Sequence, residues 1–118
     1  QTANNHNEPL LIGGDLPIEK TYSFEPIPEG TPAEAGKHIL GVQANLWSEY
    51  IVSKPLAEYQ VLPRMGALSE VQWMQPAQKD FKDFVKRVEC LRAIYELKGY
   101  TYAKHLWPEE HLKGSREL

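Results

Sequence analysis

Ile39-Leu40-Gly41-Val42-Gln43-Ala44 is the run that most restricts what this chain can fold into. It is short, mostly apolar and carries β-branched residues, which suits a buried strand better than a half-exposed one. A strand leaves its backbone amides and carbonyls to be paired by a neighbour, and the 118 residues offer no second convincing strand. The partners of this run are therefore expected outside the chain, and the chain reads as a piece of a larger domain.

The flanks agree with that reading. Residues 1–38 form a loop with one short helical turn: Pro9, Pro17, Pro26 and Pro28 each fix φ and remove an amide donor, and Gly13-Gly14 permits a tight turn. A loop of that length is uncommon in a compact domain unless it lines a site or belongs to something bigger. Thr31-Pro32-Ala33-Glu34 has the form of a capping box, with Thr31 as cap, Pro32 at the first helical position and Glu34 reaching back. Residues 55–73 read as helix, interrupted at Pro63, whose missing amide predicts a kink or two helical pieces. Its apolar residues fall in three directions: Leu56, Ala67 and Val71; Tyr59, Leu62 and Trp73; Val61, Met65 and Leu68. Such a helix is expected to be buried on most sides, with Arg64 and Glu70 needing partners.

A second helix is predicted over 77–98, where Phe81, Phe84, Val85, Val88, Leu91 and Tyr95 recur on one face and Gly99 ends the run. Cys90 falls on the opposite, outer face and is read as structural. Residues 100–118 form a tail that turns polar after Trp107-Pro108 and is expected to fray or wrap the surface.

Composition narrows the chemistry. A net charge of -3 without a basic stripe argues against a nucleic-acid partner, and no apolar run approaches the roughly 20 residues of a membrane span. Gln1-Thr2-Ala3-Asn4-Asn5 has neither the basic nor the apolar part of a signal peptide, which leaves export of a longer protein open. His6, His38, His105 and His111 lack the spacing of a metal site, and neither a nucleophile elbow nor a phosphate loop is present. No metal and no cofactor are expected.

The chemistry-bearing stretch is Gly41 to Tyr50, where the apolar run leads into Trp47 and Glu49. In an extended stretch residues two apart share a side, so an indole able to cover a pyranose face and a carboxylate able to accept from two hydroxyls could act together. On spacing alone, Trp47 as core and Glu49 as surface charge is the simpler reading.

The wider pattern changes that balance. Ile39 to Tyr50, then Glu58-Tyr59, Pro63-Arg64, Ala67-Leu68-Ser69-Glu70-Val71-Gln72-Trp73, Phe84 and Arg87 match in order and spacing, as do upstream Glu8-Pro9, Gly13-Gly14 and Tyr22-Ser23-Phe24-Glu25-Pro26. Together they resemble the end of the catalytic domain of the family 20 glycoside hydrolases, the β-N-acetylhexosaminidases. The resemblance implies an α/β fold, with this chain the C-terminal part of a (β/α)8 TIM barrel of typically ~250 residues. Residues 39–45 would be the last strand, while the chain itself is mostly helical with long loops. The tryptophan matching Trp47 forms a wall of the pocket around a terminal N-acetylhexosamine, and the glutamate matching Glu49 binds its hydroxyls. Arg64 and Glu70 are read as structural.

The family is retaining and substrate-assisted: the acetamido oxygen of the substrate attacks the anomeric carbon, an Asp orients that group and an adjacent Glu is general acid, then base. The chain contains no Asp-Glu dipeptide, and the family's seventh-strand tyrosine and aspartate would fall before Gln1. No catalytic residue is assigned, only the substrate-binding pair Trp47 and Glu49. The parent is then a hydrolase of terminal β-linked GlcNAc or GalNAc, its partners being that sugar and the remainder of the barrel, and export is implied by the family alone. The chain by itself is expected to be inactive. The competing reading is an independent small helical module that binds a partner or a sugar without hydrolysing it.

Overall fold

A computed structural model of the chain describes residues 16–106. Among these residues five α-helices follow one another, α1 (Ile18–Tyr22), α2 (Ala33–Gly36), α3 (Lys54–Val61), α4 (Arg64–Trp73) and α5 (Phe81–Lys98), with 3-10 turns at Pro76–Gln78 and Lys104–Leu106. Among the described residues none is in a strand. The strand expected over 39–45 is thus not formed: these residues run without regular structure, because a strand exists only against a neighbour that takes its backbone groups.

The long helices begin where local chemistry satisfies their first amides. Ser53 Oγ accepts from Leu56 N at 3.4 Å and caps α3; Asp80 Oδ1 accepts from Asp83 N at 3.1 Å and caps α5, four residues later than the apolar pattern suggests. At the other end of α5, Gly99 takes φ 69°, and its amide and that of Tyr100 bond back to Glu96 and Tyr95. Pro63 separates α3 from α4 as expected. Because it has no amide to offer, Tyr59's carbonyl loses that partner, and Leu62 turns to an extended conformation.

Two expectations near the N-terminus are corrected. Residues 18–22, read as loop, are helical: the carbonyl of Pro17 accepts from Lys20 N and Thr21 N, and Ile18 and Tyr22, four apart, are buried together. Thr31 does not cap α2, whose N-cap is Pro32 with no side-chain bond, so the box is out of step by one residue, and Glu34 pairs with Lys37 instead. Residues 1–15 and 107–118 lie outside the described residues, including Glu8-Pro9, Gly13-Gly14 and the polar end of the tail.

The core joins Ile18 and Tyr22 of α1, Ala67 of α4, Phe84, Val85, Val88 and Tyr95 of α5, and Leu62. Small residues on α4 let the helices approach: a Cβ on Gly66 would stand 3.1 Å from Leu91 Cδ1. Arg87 forks onto both carboxylate oxygens of Glu70, binding α5 to α4 as anticipated for Glu70. Those bonds, with that to Asp83, hold the Arg87 guanidinium more firmly protonated than usual. Lys79 donates to the carbonyls of Tyr22 and Phe24 at 3.1 and 2.9 Å and pairs with Glu25, which fastens the segment after α1.

The tail does not fray at its start. Tyr102, Ala103 and Leu106 are buried, and Ala103 N donates to the carbonyl of Leu62 at 3.0 Å, while Thr101 N donates to Glu58 Oε2 at 2.9 Å. Tyr102 donates to Glu96 Oε1 at 2.6 Å. Burial pushes the Tyr102 phenol up, and that hydrogen bond draws the Glu96 carboxyl down. The break at Pro63 is therefore sealed by residues 101–106. Replacing Ala103 by Pro removes the sealing amide and leaves a buried carbonyl unpaired; a loss of about 1–3 kcal/mol is expected in urea unfolding, against at most about 1 kcal/mol for Lys104→Ala, since the Lys104 ammonium only overlies the Tyr102 ring.

Candidate functional site

Segment 39–47 runs along α4 in the opposite direction, which follows from what each end touches. Ile39 to Val42 stand beside Gln72 and Trp73 at the C-terminal end of the helix, and Ala44 to Trp47 beside Arg64, Met65 and Leu68 at its N-terminal end. Between Ala44 to Trp47 and the helices is an open cleft of about 350 Å³, walled mainly by Leu16, Ile51, Val61, Met65 and Leu68. Val61, Met65 and Leu68 are the third direction of the apolar pattern, so the face that a packed helix would bury here borders open space. Met65 is 56% exposed and Trp47 61%.

Trp47 thus stands on the rim of an apolar cleft with much of its indole uncovered, the position an indole needs to lie on a flat apolar partner. Glu49 is exposed, does not line that cleft, and has no hydrogen-bond or ion-pair partner among the described residues. The two residues are not on one side of an extended stretch, because the chain turns: Ile51 N bonds to the carbonyl of Ser48 at 3.0 Å, and Glu49 and Tyr50 occupy the bend. The structure therefore sets them near each other in sequence without converging them on a single wall.

Arg64 shows why its role is architectural. It is buried at 8% exposure, its Nε donates to the carbonyl of Leu16 at 2.9 Å and its Nη1 to that of Gln60 at 3.0 Å. The guanidinium so ties the entry to α1 against the end of α3, and Arg64 is among the residues that line the cleft. Nothing in the spacing foretold Gln60, Met65 or Leu68 as cleft residues; the one available signal was an apolar pattern too wide for a helix with a single buried side. Cys90 is exposed and free, as read. Among the described residues no group of three or more His, Cys, Asp or Glu could hold a metal, and no helix is long and apolar enough to cross a membrane.

These placements give contrasting expectations for two substitutions. Arg64→Met should cost about 2–4 kcal/mol in urea unfolding by leaving carbonyls without their charged donor, whereas Glu49→Gln should change stability by less than about 0.5 kcal/mol. Equal losses would contradict the separation of scaffold from site.

Comparison with known proteins places the chain. The model of the glycosyl hydrolase family 20 catalytic domain matches residues 1–76. A β-hexosaminidase of Porphyromonas gingivalis is 39% identical over 111 residues, covering 94% of this chain and 14% of that protein. A β-N-acetylhexosaminidase of Cellulomonas fimi is 30% identical over 108 residues, 89% of this chain and 21% of that protein, and a β-hexosaminidase of Vibrio furnissii is 37% identical over 59 residues, 48% and 9%. The chain spans a small part of the length of each relative, and its mostly helical, strand-free described region fits a portion of a larger domain. By the family match over its first 76 residues and its likeness to these enzymes, the chain belongs to glycosyl hydrolase family 20.

Proposed function

We propose that this chain is the C-terminal part of a β-N-acetylhexosaminidase catalytic barrel, and that it supplies part of the pocket for a terminal β-linked GlcNAc or GalNAc without performing the hydrolysis itself. The observation that carries this reading is the uncovered indole of Trp47 on the rim of an apolar cleft, in a chain of this family. Residues 39–45 become the last barrel strand once neighbouring strands pair with them. Trp47 then covers the C–H face of the sugar ring, and Glu49, uncommitted to any described partner, accepts hydrogen bonds from the ring hydroxyls.

The reaction that this reading implies is retaining. The acetamido oxygen of the substrate displaces the leaving group at the anomeric carbon, an Asp holds the acetamido group, and the neighbouring Glu protonates the leaving oxygen and later activates water. None of those groups is assigned to this chain, which has no Asp-Glu pair. The contribution of the chain is to orient the sugar so that its own acetamido group can attack, an effect of position rather than of proton transfer.

Two measurements test the proposal. The purified 118-residue chain should not turn over 4-nitrophenyl N-acetyl-β-D-glucosaminide; clear turnover would overturn the placement of the catalytic pair elsewhere. In a complete catalytic domain containing this chain, Trp47→Ala and Glu49→Gln should each lower kcat/KM about tenfold or more, the loss of one good contact to the sugar. Unchanged kcat/KM in both variants would remove them from the pocket.

A further inference from the structure

Segment 39–47 has little to hold it. Leu40 is 97% exposed, and along the stretch the hydrogen bonds among described residues are few: Ile39 N turns back onto Gly36, Gln43 reaches Asn45 at 3.5 Å, and both are local. Among the described residues one hydrogen bond ties the segment to the helices. Gln72 Nε2 donates to the carbonyl of Val42 at 3.0 Å across 30 residues of sequence.

The place of that bond on α4 gives it leverage. Met65, Leu68 and Gln72 follow one another at three and four residues, so they share a face of the helix. The first two border the cleft at Trp47 and the third grips the chain five residues earlier. Five extended residues span at most about 17 Å, while the helix from Met65 to Gln72 is only about 10 Å long. A segment free at Val42 could slide or bow by several ångströms along α4. Gripped there, its far end is confined to the cleft.

We propose that Gln72 is a positioning residue: its amide sets the height of segment 39–47 on α4 and thereby where Trp47 and Glu49 stand. The proposal rests on the reading of Trp47 and Glu49 as sugar contacts, since only then does their placement serve binding. It is compatible with strand formation, because a backbone carbonyl has two lone pairs and can accept from a neighbouring strand and from Gln72 together. The chemistry asked of position 72 is a donor of sufficient reach. Size and polarity alone are not enough.

The indole N–H cross-peak of Trp47, assigned by its loss in Trp47→Phe, reports this directly in the 118-residue chain. Gln72→Met, which keeps length and removes the donor, should move that peak beyond its own width toward its position in urea while the helical circular dichroism is unchanged. Gln72→Lys, which restores a donor, should return it to the wild-type position. Should the Met variant lose helix, Gln72→Glu, of the same size without the donor, takes its place in the same comparison. An unmoved peak in the donor-less variant, or an equal displacement in the Lys variant, overturns the proposal. Titration of a complete catalytic domain containing this chain with N-acetylglucosamine separates the two claims: a Trp47 peak that ignores the sugar there counts against the sugar reading, whereas the positioning claim is judged by the sugar-free comparison.

Discussion

The close approach of α4 to its neighbours organises the described part of this chain. Gly66 and Ala67 remove side-chain bulk on one side of the helix, so that Leu91 and Val88 of α5 come within contact of where a Cβ would be, and Ile18 and Tyr22 of α1 join the same apolar cluster. The Glu70–Arg87 fork then holds α5 in place at the margin of that contact. With one side of α4 committed in this way, the remaining side is left to face segment 39–47. The scaffold and the site are consequently two faces of one ten-residue helix.

That division accounts for the distribution of apolar surface. Packing of α1, α4, α5 and residues 101–106 makes a small dry core, yet Trp73 is 87% exposed, and Leu40, Trp47 and Met65 are more than half exposed. Large uncovered apolar side chains thus gather beside an unpaired backbone segment, the combination found where a surface packs against a partner. In a barrel of alternating strands and helices, a helix packs its inner side on the sheet and a strand is paired on both edges. The proposal that 39–45 is such a strand explains both features at once, and it places Trp47 just past the strand's C-terminal end, where barrels of this kind gather their binding residues.

Much of this was legible from residues alone, for reasons that differ by element. The face of α5 was readable because Phe84, Val85, Val88 and Tyr95 are all buried in one apolar cluster, so period and burial coincide. The break at Pro63 was readable because a missing amide acts whatever surrounds it. Helix α1 was hidden among prolines and is too short to show a period; its stability comes from burying Ile18 and Tyr22, a tertiary effect. The packing of residues 101–106 was hidden for a similar reason, since Ala103 is recruited by a carbonyl freed at Leu62, far away in sequence. At the candidate site, Trp47 and Glu49 were singled out by resemblance, but their relation was not legible: a turn at Ser48 to Ile51 overrides the alternation that an extended stretch would have.

The central claim is that residues 39–45 are a strand awaiting its neighbours. Amide hydrogen exchange over Leu40 to Trp47 tests it most directly, measured once in this chain and once in the same sequence joined to the rest of a family 20 catalytic domain. Exchange close to the rate of an unstructured peptide in the first, and strong protection of alternate or successive amides through Ala44 in the second, is the outcome predicted. Equally rapid exchange in both, with the joined domain folded and active, would contradict it.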